Sequence, residues 1–175
     1  GDCPMSTLSV DTIQGKTTAS KIIMPEGTMI QFKHASSSTQ VSNSTDNYIS
    51  TSVSISFTPK FDTSLILVHW EGHFRKSTSA GGGLGFNLYK DSSALTTSVS
   101  DTSDRPIEIY KDETRIWTRS SKSHCEVSGN TTARTYTCKF KRYDSNSNSV
   151  EVNYNISGSG ANNAEEILTV MEIAQ

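Results

Sequence analysis

The chain is 175 residues long, carries a formal net charge of −2 and is 33% hydrophobic. That length suits one domain, and the balance of charge leaves no global field that would draw nucleic acid or an anionic membrane. Serine and threonine supply 50 of the 175 residues, which fits a thin β-sandwich with polar loops, or a subunit that completes its core against copies of itself. No apolar run approaches the ~18 residues of a membrane span. No early stretch has the charged-then-apolar order of a secretory signal.

Residues 1–4, Gly-Asp-Cys-Pro, read as a cloning remnant ahead of Met5, which removes Cys3 from the native count. Residues 5–27 lack helical periodicity and end at the turn signal Pro25-Glu26-Gly27, so they are expected to form an extended N-terminal arm. Residues 28–175 then form the head domain. Thr28 to His34 alternates as a strand, and Ser36 to Asp46 reads as a serine-rich loop. In Tyr48 to Phe57, Ile49, Thr51, Val53, Ile55 and Phe57 share one face before Pro59 ends the strand. Leu65 to Phe74 opens on the unbroken run Leu65-Ile66-Leu67-Val68, which predicts cover on both faces.

A Ser-Thr-Ser-Ala-Gly-Gly-Gly stretch reads as a flexible link into the strand Leu84 to Lys90. Short strands are expected around Ile107 to Tyr110 and from Arg115 to Thr118, with Trp117 anchored in the core. Arg134 to Arg142 places Tyr136, Cys138 and Phe140 inward, and Val150 to Ile156 is a further strand. The last, Ile167 to Ile173, is the most apolar run of its length and stops two residues before the end of the chain. A chain end is normally frayed and polar unless something ties it down. This one reads as a strand that enters a sheet last. Eight to ten short antiparallel strands between Ser, Gly, Asn and Asp loops predict an all-β, jelly-roll-like sandwich.

Few residues point to chemistry. His69, Glu71 and His73 alternate along one strand, so their side chains share a face and suit a divalent ion. The same pattern also reads as a polar face opposite Ile66, Val68 and Trp70, and no cofactor is expected. In a trimer, one histidine from each chain would meet on the three-fold axis. Cys125 and Cys138, thirteen positions apart, are placed for a disulfide or stand as two thiols with Cys138 buried beside Tyr136 and Phe140. Tyr48, Tyr89, Tyr110 and Tyr143 fall at strand ends or on the less apolar faces, as in sugar or protein contact surfaces. The basic run Lys139-Phe140-Lys141-Arg142 reads as the solvated edge of a strand. No G-x-S-x-G elbow singles out a nucleophile. Glu71, Glu108, Asp112 and Glu113 are the carboxylates from which a glycan-cleaving pair would have to come.

The segment STLSVDTIQGKTTASKIIMPEGTMIQF resembles the opening of small virion or tail-fibre proteins of marine bacteriophages, cyanophages in particular. ISFTPKFDTSLILV, GFNLYKDSSAL and ILTVMEIAQ fit the same pattern, and strand order looks similar to trimeric C1q/TNF-like jelly rolls. The resemblance implies a non-enzymatic virion component made in the bacterial cytoplasm. It also implies a homotrimer whose arm attaches to other virion proteins and whose head contacts a host glycan or protein. Monomeric carbohydrate-binding modules and small glycan depolymerases are the alternatives.

Overall fold

The computed structural model describes residues 25–76, 82–95, 108–111, 116–143, 149–154 and 164–175. Its strands are β1 (Met29–Ser37), β2 (Val41–Asn43), β3 (Ile49–Phe57), β4 (Leu65–Lys76), β5 (Gly82–Lys90), β6 (Ser93–Ala94), β7 (Glu108–Lys111), β8 (Ile116–Val127), β9 (Arg134–Tyr143), β10 (Val150–Val152) and β11 (Glu166–Ile173). The arm expected over residues 5–27 lies outside the described residues up to residue 24. The turn that ends it is present: Thr28 donates its backbone N–H to the Pro25 carbonyl at 3.0 Å, and Gly27 takes φ +82°. Among the described residues no helix is long and apolar enough to cross a membrane.

All pairings are antiparallel and fall into two sheets. In the first, β8 lies along the whole of one edge of β4. The other edge is shared by β11, against Leu65–Glu71, and β10, against Phe74–Lys76. β1 flanks β11 and β2 flanks β10. The second sheet runs β3-β9-β5, with β6 and β7 both on the far edge of β5. The chain therefore alternates between sheets and returns so that its first and last strands pair, which is jelly-roll connectivity. The all-β sandwich expected from the sequence is the fold.

The core is the layer between the sheets. β4 alternates strictly, and Ile66, Val68, Trp70 and Phe74 face inward, against Leu84, Phe86 and Leu88 of β5 and Tyr136, Cys138 and Phe140 of β9. At its centre Trp70, Phe74, Phe86 and Phe140 form a chain of tilted rings with centroids 5.1–5.7 Å apart, the offset geometry that aromatic quadrupoles favour. Gly72 permits this. A Cβ there would lie 2.4 Å from the Trp70 ring, so any larger residue pushes the indole away.

Several expectations need correction. The serine-rich loop at Ser36–Asp46 holds the end of β1 and all of β2. β5 begins at Gly82, inside the expected link. The short strand at Arg115–Thr118 is the start of twelve-residue β8, which runs through Cys125. β8 escapes pattern reading because it is an edge strand whose inward residues, Thr118, Ser120, Lys122, His124 and Glu126, are polar. Trp117 stands in β8 opposite Arg75, and its side chain lies outside the described residues. β10 stops at Val152 because Asn153 takes φ +58° and donates its N–H to the His73 carbonyl at 3.0 Å. The basic run occupies β9, between β3 and β5, so it is central and not an edge. Cover on both faces of Leu65–Val68 is also absent: Leu65 and Leu67 are only half-buried on the outer side.

Two buried carboxylates brace the sandwich. Glu166 accepts hydrogen bonds from Trp70 Nε1 (2.9 Å), the Ser52 N–H (2.7 Å) and Asn153 Nδ2 (3.2 Å). Glu172 accepts from the Ser64 hydroxyl (2.6 Å), the N–H groups of Lys60 and Phe61 (2.9 and 3.0 Å) and Gln31 Nε2 (2.5 Å). Burial alone would raise the Glu172 carboxyl, but these donors outweigh it and hold the group below its usual range.

Replacing Gly72 with Ala should cost about 1–3 kcal/mol by overpacking. It should also lower the urea midpoint and change the Trp70 fluorescence as the indole leaves Glu166; an unchanged midpoint and spectrum would contradict the packing. Because the folded Glu172 pKa is depressed, its contribution is complete above the unfolded value of ~4.3 and is lost as pH falls through the folded value. Glu172→Gln should therefore lose about 1–3 kcal/mol at neutral pH and flatten the acid-side decline in urea-measured stability. An unaltered pH profile would show that the carboxylate is not ionised in the fold.

Candidate interaction surfaces

The outer face of the β8-β4-β11-β1 sheet is built in ranks by the strand register. The first rank across the sheet is Met29, Ile173, Leu65 and Val127, and the second is Phe32, Met171, Leu67 and Cys125. Alternation forces this, because the inward residues of each strand fill the core and their neighbours must point the other way. Met29, Phe32 and Val127 are more than half exposed, at 56%, 54% and 56%, and Cys125 is exposed. Leu65, Leu67, Met171 and Ile173 are half-buried. Isolated exposed hydrophobics are ordinary, but two contiguous ranks on one sheet face are not.

Further along, the face turns polar. The third rank is His34, Thr169, His69 and Ser123, and the fourth is Ser36, Ile167, Glu71 and Ser121. The sequence-predicted group His69, Glu71 and His73 does share this face, but each member is differently engaged. His69 Nδ1 lies 2.8 Å from Ser123 Oγ, Glu71 pairs with Arg119, and His73 Nδ1 is buried without a partner. Among the described residues no three His, Cys, Asp or Glu side chains come together to hold a metal ion. The Ser123–His69 contact has two members of a hydrolytic triad, yet His69 makes no hydrogen bond to a carboxylate among the described residues. Of the candidate carboxylates, Glu71 is held by Arg119, Glu108 stands in β7, and Asp112 and Glu113 lie outside the described residues.

Cys125 and Cys138 are free thiols. Cys125 faces outward from one sheet and Cys138 is wholly buried on the inner side of the other, so the disulfide considered from their spacing does not form. Burial, with Glu166 nearby, pushes the Cys138 thiol well up. Close by, polar groups tie the sheets together: Glu126 of β8 accepts from Tyr136 of β9 at 2.6 Å and pairs with Lys90 of β5 at 2.5 Å. Burial and that acceptor raise the Tyr136 hydroxyl. A cavity of about 240 Å³ opens beside Lys90, Asp91 and Arg134. Arg134 is already committed as a loop strut, donating to the carbonyls of Ser128 (2.9 Å) and Asn130 (2.8 Å).

A second surface lies on the outer side of the β3-β9-β5 sheet. The Tyr48 and Tyr89 rings meet with centroids 5.7 Å apart and planes tilted by 57°. Lys139 Nζ sits 4.5 Å from the Tyr89 ring centre, and Lys141 Nζ sits 4.7 Å from that of Tyr48, both within cation–π range. All four side chains are half-exposed. By register, Tyr110 of β7 and Tyr143 of β9 stand on either side of Gly83; their side chains lie outside the described residues. Two of the four sequence-predicted tyrosines thus form one cluster. The basic run joins them because Phe140 points into the core and so sends Lys139 and Lys141 out.

No protein-family model and no curated protein matches the chain. Among solved structures it is similar to one described as the structure of infectious bursal disease virus, Gx strain, with 14% identity and a TM-score of 0.38. That alignment covers 99% of this chain and 42% of the other, so the chain spans less than half the length of that neighbour.

Proposed function

We propose that this chain is a non-enzymatic structural subunit of a bacteriophage virion: a tail-fibre tip, accessory or decoration protein that assembles as a homotrimer. The observation that carries the reading is the apolar outer face of the β8-β4-β11-β1 sheet. The four strands, spaced ~4.8 Å apart, run side by side over Leu65–Glu71 of β4, residues rising ~3.3 Å each, and present a face of about 440 Å². That is over half of the about 800 Å² that one partner of a standard interface buries. The occupant is a second copy of the chain, since a scarcity of apolar residues leaves few to spare unless burial on assembly uses them. The polar ranks beyond, with the Glu71–Arg119 pair, supply the rim that such a contact needs. The segment before β1 leaves from the apolar end of this face, where Gly27 bonds to Ala174, which supports an arm that joins neighbouring virion proteins. The sequence resemblance to marine-phage fibre proteins supplies the virion and the trimer. The head's other sheet remains free to meet the host surface.

Light scattering after size exclusion tests this. The unsubstituted chain should run at three times its 19.1 kDa mass, and Leu67→Glu or Met171→Lys should run as a folded monomer with an unchanged strand signature by circular dichroism. In a Cys3→Ser background, Cys125 should react with a thiol reagent only as dilution dissociates the assembly, while Cys138 should react only on unfolding. A monomeric unsubstituted chain would overturn the assembly.

A further inference from the structure

We propose that His124 is a pH-sensitive latch on β8: its neutral imidazole keeps this strand against the core, and protonation releases it. β8 is weakly anchored for its length. Among the described residues it pairs with β4 only. Its inner side carries Thr118, Ser120, Lys122, His124 and Glu126, so it brings little apolar area to the core. Elements with few buried apolar contacts are the ones that open locally. Cys125 and Val127 stand on the other side of β8, in the apolar ranks, so release also loosens the assembly face; that consequence alone rests on the reading above.

The Nδ1 atom of His124 is buried and has no hydrogen-bond partner. A neutral imidazole tolerates this, because with its proton on Nε2 the Nδ1 is a bare acceptor. An imidazolium carries N–H on both nitrogens. Protonation would therefore turn Nδ1 into a buried, charged donor with nothing to accept from it.

The surrounding groups add to that cost. Lys122, two residues back on the same side of β8, and Lys90 of β5 both act against a positive imidazole. Glu126, two residues on, favours one, but it already accepts from Tyr136, pairs with Lys90 and lies 3.9 Å from Arg134. On this side β4 presents Ile66, Val68 and Trp70, none of them titratable. β9 adds Cys138, whose thiol burial pushes well up, and Glu166 of β11 beyond it is spent on Trp70, Ser52 and Asn153. Burial above all, with the two lysines, holds the His124 imidazole below its usual value against the pull of Glu126. With the folded pKa depressed, the released strand binds the proton more readily. The hold on β8 is thus full above the unfolded value of ~6.5 and falls as pH drops through it towards the folded value. Glu172 acts in a separate window, below ~4.3. His69 and His73 lie on the outer side of β4, opposite Ser123 and Arg119 of β8, and serve as controls.

The test follows the full chain at about pH 7.5 and about pH 5.5, either side of the histidine range. Hydrogen exchange of β8 and β11 peptides is read by mass spectrometry as protection factors, which removes the pH dependence of the intrinsic rates. The imidazole protons are titrated by NMR. Protection of β8 should fall by about threefold or more at the lower pH, while that of β11 stays within about twofold. The His124 midpoint should lie below ~6.5. Lys122→Met should raise that midpoint and shrink the fall, a response that a merely structural histidine would not give. His124→Gln, with His124→Leu as a second variant should the first misfold, should abolish the fall, whereas His69→Gln and His73→Gln should keep it. A fall that persists in both His124 variants, or a His124 midpoint at or above its usual value, would overturn the latch. Light scattering on the same samples separates the latch from the assembly. A chain that is monomeric at both pH values but still loosens β8 keeps the latch and defeats the assembly. A trimer whose β8 protection ignores pH defeats the latch alone. A trimer that loosens β8 should dissociate more readily on dilution at the lower pH, and unchanged dissociation would overturn that consequence.

Discussion

The structure depends on where its last strand goes. β11 is inserted between β1 and β4, so two of the three longest pairings of its sheet form only when this strand has docked. Its inward residues Leu168 and Val170 are wholly buried, and its outward residues Met171 and Ile173 form part of the apolar ranks. One eight-residue strand thus supplies core, ladder and outer face together. Joining strands so distant in sequence carries a large loop-closure cost, repaid only when the pairing is made.

The two glutamates at the ends of β11 explain how so polar a chain closes a sandwich. A buried carboxylate is costly unless it is saturated with donors. Glu166 reaches β3 through Ser52, β4 through Trp70 and the end of β10 through Asn153. Glu172 gathers the backbone between β3 and β4 at Lys60 and Phe61, with Ser64 completing the set. Each therefore fixes a strand end or a loop that serine and threonine side chains alone would leave weakly held. Across the opposite margin, Glu126 does the same with Tyr136 and Lys90. The sandwich is apolar at its centre and stitched by carboxylates at its margins.

Much of this was legible in the sequence, and the failures have physical causes. β3, β4, β9 and β11 announce themselves because one face is buried and the other is not, so period-two alternation survives in the residues. β8 was cut short because the inner side of an edge strand carries Lys122, His124 and Glu126 in place of an apolar series. β2 was lost because three residues cannot display a period. The open outer face was misread for a subtler reason: Leu65-Ile66-Leu67-Val68 looks like a strand covered twice, and a single chain covers it once. Of the candidate site residues, Tyr48 and Tyr89 meet, but their distance of 41 positions hides the contact, and nothing in one sequence pairs Lys139 with either ring. Glu166 and Glu172 were passed over because polar residues in an apolar strand carry no local sign of the donors that reach them.

On the proposed function the two sheet faces divide the molecule's work, the apolar face taking copies of the chain and the opposite face left for the host, both hung on the same core. That division requires β11 to be as firmly held as β4. Native-state amide hydrogen exchange, followed residue by residue with increasing denaturant, measures it directly. Leu168 to Met171 should exchange only through global opening, with the same free energy as Ile66 to Trp70. Faster exchange in β11, through a local opening that leaves β4 protected, would mean that the terminal strand is an accessory to the sandwich and not its closure.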